Sequence, residues 1–232
     1  MTTLRIVRVL PDLLSINGSL GNAEILQARA SWWGWNVTLT DVEEGAKFPK
    51  SADILVIGHG TSSATTRALG ALHKWSPQIS ALHRQGAAIL GLGLGGDLLG
   101  RSIQLGGTVL EGLGLVSASA VLQRQHVSTE VSGVDREGRE SAGYLNDLTE
   151  RQLSPTPLLV LTSPSSVSGG EGHCGDHIWV SAVSGPLLGL NPHIADDILR
   201  SHESLPEPTE KHVLADTAAA RARKAIASRL GA

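Results

Sequence analysis

Cysteine occurs once in the 232 residues, as Cys174, which excludes an intrachain disulfide and any zinc site built on several thiolates. The fold must therefore be held by packing. Charge of one sign is also missing: 19 Lys and Arg against 22 Asp and Glu leave a net charge of −3, without the basic excess that holds nucleic acid or an anionic membrane surface. The longest apolar stretches, around Ala87–Leu94 and Leu158–Leu161, fall well short of the roughly 20 residues that cross a bilayer. No basic-then-apolar leader opens the chain, so neither membrane insertion nor export is expected, and the expected setting is cytoplasmic. Aromatics are scarce apart from Trp32, Trp33 and Trp35, which crowd around Gly34. What is plentiful is apolar aliphatic sequence and glycine: 41% of residues are hydrophobic and 27 are glycine, enough for one core with many turns.

In the first half, short apolar runs alternate with longer helix-like segments, the pattern of an α/β domain with a mainly parallel sheet. Leu4–Leu10, Trp35–Thr40, Ala52–Gly58 and Ala87–Leu92 read as strands. Helices are expected over Ala23–Trp33, stopped by Gly34, over Ala64–Arg84 with an interruption at Pro77, and over a short stretch from Asp97 to Gln104. The second half reads as more antiparallel: strands near Ser119–Ser128 and Pro157–Thr162, hydrophilic turns between them, a flexible loop over Ser163–Gly170, and a last strand over Asp176–Val183. Two parts follow: a domain over residues 1–200, and a linker with a C-terminal helix over 201–232. Val213, Leu214, Ala218, Ala225 and Ile226 are available for one face of that helix, which is expected to pack on its own domain or on a partner.

Gly91-Leu-Gly-Leu-Gly-Gly96 lies between a strand and a helix, where two chemistries compete. As G-x-G-x-x-G, its glycines would let a dinucleotide pyrophosphate approach a helix N-terminus. Three features oppose this: the turn follows the fourth strand, Asp97 would face the phosphate, and the helix is short. No cofactor is expected. As G-x-Nuc-x-G, the same residues form the sharp turn that presents a catalytic Ser or Cys, and here the central residue is Gly93. The elbow keeps its small flanking residues and has no nucleophile.

Around that turn, Asp12–Asn22, Ile57-Gly-His-Gly60, Ile89–Gly100, Gly112-Leu-Gly-Leu115 and Ser184–Asp196 occur in an order that resembles the class I glutamine amidotransferases of the CobB/CobQ type. Within them the chain looks most like the GatD-type glutaminase subunits that work with a Mur-ligase-like partner of the MurT type. The resemblance covers roughly Leu4–Arg200 and implies a three-layer α/β sandwich, flavodoxin-like, with a mainly parallel central sheet. In such enzymes a cysteine attacks the side-chain amide of glutamine, a histidine before Gly-Pro acts as base, and ammonia passes to the partner. The positions that match are Gly93 for the cysteine and Ser184, before Gly185-Pro186, for the histidine. Ser19 and Leu20 stand where the family loop has Asp-Arg, and Thr61 and Ser62 where it has Gln-Asp. Gly143–Asp147 resembles Gly-Phe-Glu-Asn-His with its acid and histidine replaced.

The resemblance thus implies a non-catalytic relative without glutaminase activity of its own, a scaffold or regulatory subunit forming a heterodimer with a Mur-ligase-like, ATP-dependent amide-forming ligase. The vestigial pocket would be made by Gly58, His59, Gly60, Gly93, Leu94, Gly95, Arg124, Asn146 and Ser184, with Arg124 matching a family arginine. The segment Gly172-His-Cys-Gly-Asp-His177 offers His173, Cys174 and His177 as weak metal or thiol candidates against the plain reading of a polar loop, and no metal is expected. Two other readings stay open: an enzyme whose cleft has been repurposed around His59, Cys174 or another residue, and a stand-alone ligand-binding module. At least one ring of the tryptophan cluster should pack between the first helix and the sheet, and an exposed one would suit a partner surface.

Overall fold

The short apolar strands send alternate side chains to opposite faces of one sheet, and each face has its own helices to meet them. The computed structural model describes residues 2–152, 154–184 and 186–231, with the side chain of Arg124 outside the description. The first half comprises β1 (Thr3–Val9), α1 (Gly21–Trp32), β2 (Asn36–Val42), β3 (Ile54–Ile57), α2 (Thr65–Arg84), β4 (Ala88–Leu92) and α3 (Leu94–Leu99). Strands β5 (Ser102–Leu105), β6 (Thr108–Glu111), β7 (Ser119–Asp135), β8 (Glu140–Arg151), β9 (Leu159–Ser163), β10 (Gly169–Glu171), β11 (His173–Gly175), β12 (Ile178–Ser181) and β13 (Val183–Ser184) follow. Helices α4 (Leu187–Leu190), α5 (Pro192–Arg200) and α6 (Glu210–Leu230) end the chain.

The central sheet runs β11-β12-β4-β3-β1-β2, with all neighbours parallel except β11 at the edge. Leu55 and Ile57 face α2, where Leu72, Ile79 and Leu82 cover them. Ile54 and Val56 face α1 and α5, meeting Leu26, Ala30, Ile194 and Ile198. The result is the three-layer α/β sandwich that the sequence implied. No helix of the described residues is long and apolar enough to cross a membrane.

A second sheet, β10-β9-β7-β5-β6 with β8 and β13 joined through β7, packs beside this sandwich and is antiparallel except for β5 with β7. Here several expectations need correction. Helix α2 is continuous through Pro77, because the buried stripe of Leu69, Leu72, Trp75, Ile79 and Leu82 lies on both sides of it and outweighs the roughly 3 kcal/mol a proline costs inside a helix. The short helix ends at Leu99, and residues 102–105 form β5. Gly100 is forced there by the Ala118 carbonyl, which a Cβ would approach to 2.7 Å, and the chain passes into pairing with β7. What read as hydrophilic turns is the long β7–β8 hairpin, in which Val131 and Leu145 are buried on one face and the paired Ser132 and Ala142 on the other. The loop over residues 163–170 ends in β10, paired to β9 through Gly169 and Gly170.

Helix α6 lies against β7, β8, α1, α4 and α5. It buries His212, Ala219 and Ile226; Val213 and Leu214, expected on the inner face, are 56% and 63% exposed. A buried histidine anchors it. The Thr209 backbone N–H donates to His212 Nδ1 (3.2 Å), which leaves Nε2 to donate to the Arg29 carbonyl (3.1 Å). The imidazole stacks on Trp33 at 4.0 Å, and Trp33 in turn donates to the Glu207 carbonyl. The tryptophan cluster is thus covered by the chain's own C-terminal segment, with Trp35 buried and Trp32 and Trp33 half-buried. Arg29 beneath it is buried and paired to Asp196 and Asp216, both at 2.7 Å.

Candidate functional site

The carboxyl ends of β3 and β4 meet where parallel strands gather their functional loops. Two glycines let them approach. A Cβ on Gly58 would stand 2.0 Å from the Leu14 carbonyl oxygen, and one on Gly95 would stand 2.2 Å from that of Ile57. The Gly95 amide donates to the Gly58 carbonyl at 3.1 Å, tying the elbow to the end of β3. Between β4 and α3, Gly93 takes φ +51° and ψ −120°, the strained turn that presents a nucleophile in an elbow. Its own amide donates to the Ser181 carbonyl at 2.8 Å.

The space above Gly93 is filled. A Cβ there would lie 2.1 Å from Nδ1 and 2.6 Å from Cγ of His59. The backbone N–H of Leu94, the residue after the elbow centre, donates to His59 Nδ1 at 2.9 Å. Because that amide can only donate, Nδ1 is the acceptor and the ring proton sits on Nε2. The imidazole is fixed from both sides of its backbone: the His59 N–H donates to Ser19 Oγ (2.8 Å), and its carbonyl accepts from Ile16 N–H (3.0 Å). Burial lowers the proton affinity of the ring, against the opposing pull of Asp147, so the neutral form prevails near pH 7.

Beside the elbow lies a cavity of about 340 Å³, bounded by Asn17, His59, Gly60, Leu94 and Asn146. Asn146 Nδ2 donates to Asn17 Oδ1 at 3.2 Å across its mouth. Of the residues expected in one pocket, His59, Gly60, Leu94 and Asn146 line this cavity, Gly93 lies beneath the His59 ring, and Gly58 and Gly95 are joined by the hydrogen bond at the end of β3 without lining it. Ser184 pairs with Tyr144 across β13 and β8, and its hydroxyl donates to the Tyr144 carbonyl at 2.9 Å. The Arg124 side chain falls outside the described residues. His173, Cys174 and His177 do not converge: His173 Nδ1 is bonded to Ser154 and Thr156, His177 sits in the turn before β12 at φ +59°, and burial pushes the Cys174 thiol up.

One part of the site was missed in the sequence. Arg151, at the end of β8, is held bidentately by Asp97 of α3 (2.6 and 2.9 Å) and also by Asp147. Asp147 accepts in addition from the Leu148 and Thr149 amides at 2.7 and 3.0 Å. Burial raises the Asp97 carboxyl to about 6 despite the guanidinium. In Asp147 burial also pushes upward, but the charge and hydrogen bonds of Arg151 win and hold the carboxyl below its ordinary value. The available signal was Asp147 and Arg151 four residues apart, on one face of a strand.

A strand–elbow–helix turn in a three-layer sandwich defines an amidotransferase-like α/β protein. The chain belongs to the CobB/CobQ-like glutamine amidotransferase domain family, whose model matches residues 5–180. It is 32% identical over 115 residues to a cobyric acid synthase from Cereibacter sphaeroides, a stretch that is 47% of this chain and only 24% of that protein. In fold it is similar to PurLQS from Thermotoga maritima (TM-score 0.54, 14% identity, 87% of this chain and 97% of that one). It is also similar to a glutamine amidotransferase from the same organism (TM-score 0.53, 14% identity, 96% and 93%).

Proposed function

We propose that this chain is a non-hydrolysing glutamine amidotransferase relative of the GatD type, acting in the cytoplasm as the heterodimeric partner of a Mur-ligase-like, ATP-dependent amide-forming ligase. The observation that carries the reading is the His59 ring over Gly93. Attack on a glutamine side-chain amide needs a nucleophile at the elbow, an amide donor free to hold the oxyanion, and a base that hands a proton to departing ammonia. At the elbow there is no side chain. The Leu94 amide is already bonded to an imidazole, and the hydroxyl of Ser184 is not a base near neutral pH. His59 itself cannot take the nucleophile's part, since its unprotonated nitrogen is committed to that amide. In this reading the fold is kept for its surface, and amide formation takes place in the ligase.

The test is ammonia release from glutamine by the purified chain, alone and with a Mur-ligase-like protein from the same cell. No release above background is expected in either case, with co-purification of the two proteins. Steady glutamine turnover would end the non-hydrolysing reading. A ligase that is folded and fully active without this chain would end the partnership.

A further inference from the structure

A second, larger cavity of about 560 Å³ opens on another face of α3. Leu94 lines the elbow cavity, whereas Gly96 and Gly100, one turn apart, line this one; Asp97, Asp147, Leu148 and Thr149 border both, and Gly93 and His59 do not reach it. Its size is that of a small-molecule site. Part of the wall is apolar, with Val127 and Leu161, and the polar part carries Asp97, Asp147, Arg151 and Glu171, with the exposed Glu150, held by Gln123, at its edge.

Among the described residues the charges in that wall do not balance. One guanidinium, Arg151, serves both Asp97 and Asp147. Glu171 is a third carboxylate, and its oxygens accept from neutral donors: the Ala182 amide at 2.6 Å and the Ser181 hydroxyl at 2.8 Å. Among the described residues no Lys, Arg or His forms a salt bridge with it. His173, which also lines the cavity, supplies no positive charge, because burial lowers its proton affinity. A buried carboxylate with no cation in contact is costly, and burial pushes the Glu171 carboxyl upward in spite of its two donors and the attraction of Arg151, with the charge of Asp147 adding to the rise. An open cavity whose described lining holds four carboxylates, one guanidinium and an apolar wall has the recognition chemistry of a cation with a hydrophobic body.

We propose that this cavity binds a small organic ammonium ion, its charged head at Glu171 and the Asp97–Asp147 side and its apolar part against Val127 and Leu161. The site stands independently of the reading given to the elbow. A zwitterion such as glutamine fits it poorly, because its carboxylate would join four others.

The experiment is calorimetric titration of the full chain with cyclohexylammonium, cyclohexanol and cyclohexanecarboxylate at one ionic strength. Saturable binding of the ammonium ion alone, one per chain, is expected. Glu171→Gln keeps the shape and removes the charge, and should weaken binding about 10-fold or more. Gln125→Trp, at an exposed position on the rim, should block entry while leaving every buried charge in place and the melting temperature unchanged. The second variant decides the matter if the first fails to fold. Absence of saturable heat with the ammonium ion, equal binding of the alcohol, or unaltered affinity in both variants would overturn the proposal.

Discussion

Putting a cysteine at the elbow tests whether His59 and a side chain at position 93 contend for one space. In Gly93→Cys the new Cβ would meet the imidazole at 2.1 Å from Nδ1 and 2.6 Å from Cγ, so the ring as a whole must rotate away. Rotation orphans the Leu94 amide, at about 1–3 kcal/mol for a buried donor without a partner. A side chain at φ +51° and ψ −120° adds strain of about 1–3 kcal/mol. The single substitution should therefore destabilise the chain by about 2–6 kcal/mol and lower its melting temperature by roughly 5–20 °C. His59→Ala removes the ring and orphans the same amide in advance. In that background Gly93→Cys should cost only the backbone strain. The double variant should then be more stable than the two single losses predict by about 1–3 kcal/mol. Urea unfolding of the four proteins completes the cycle. If the two effects add to within about 0.5 kcal/mol, the ring and the elbow are not in contact and the argument for a filled site fails. None of the four should release ammonia from glutamine, because no base stands at Ser184.

Three further outcomes are expected. Arg151→Met should cost about 3–5 kcal/mol at pH 7 by leaving Asp97 and Asp147 buried without their cation, and a loss below ~1 kcal/mol in urea unfolding would show that the network is not enclosed. His193 is buried as the neutral ring, its pKa lowered from 6.5 to about 4 chiefly by desolvation. The unfolded chain binds the extra proton, so this stability is complete above 6.5 and is lost as pH falls toward 4, by roughly 3 kcal/mol. His193→Gln should flatten that part of the stability-against-pH curve, and an unchanged slope would refute the assignment. Asp97, raised to about 6, acts with the opposite sign, favouring the folded state as pH falls below 6. His212→Ala breaks the Thr209 and Arg29 hydrogen bonds and the Trp33 stack, and should cost about 2–4 kcal/mol with a shift in tryptophan emission; a loss under ~1 kcal/mol would mean that α6 is held elsewhere.

The sequence by itself determined the parallel strands, because β3 and β4 are short apolar runs with a helical stretch between them, and a strand buried on both faces needs no long-range information to be read. It also determined the elbow and its missing side chain, since glycine spacing and residue identity are local facts. The β8 strand was illegible: its buried face carries Gly143 and Asp147 as well as Leu145, and polar residues become inward-facing only when a partner such as Arg151 arrives to meet them. Likewise nothing local announced that Val213 and Leu214 would face outward while His212 turned in, because that choice was made by Arg29 and Trp33 across the helix pair. The tertiary structure alone decided what occupies the elbow. His59 and Gly93 are 34 positions apart, and only the pairing of β3 with β4 sets an imidazole into the hydrogen-bonding position over a backbone amide. Local propensity fixes which elements form, whereas the partner of each polar atom is fixed by packing between elements distant in the chain.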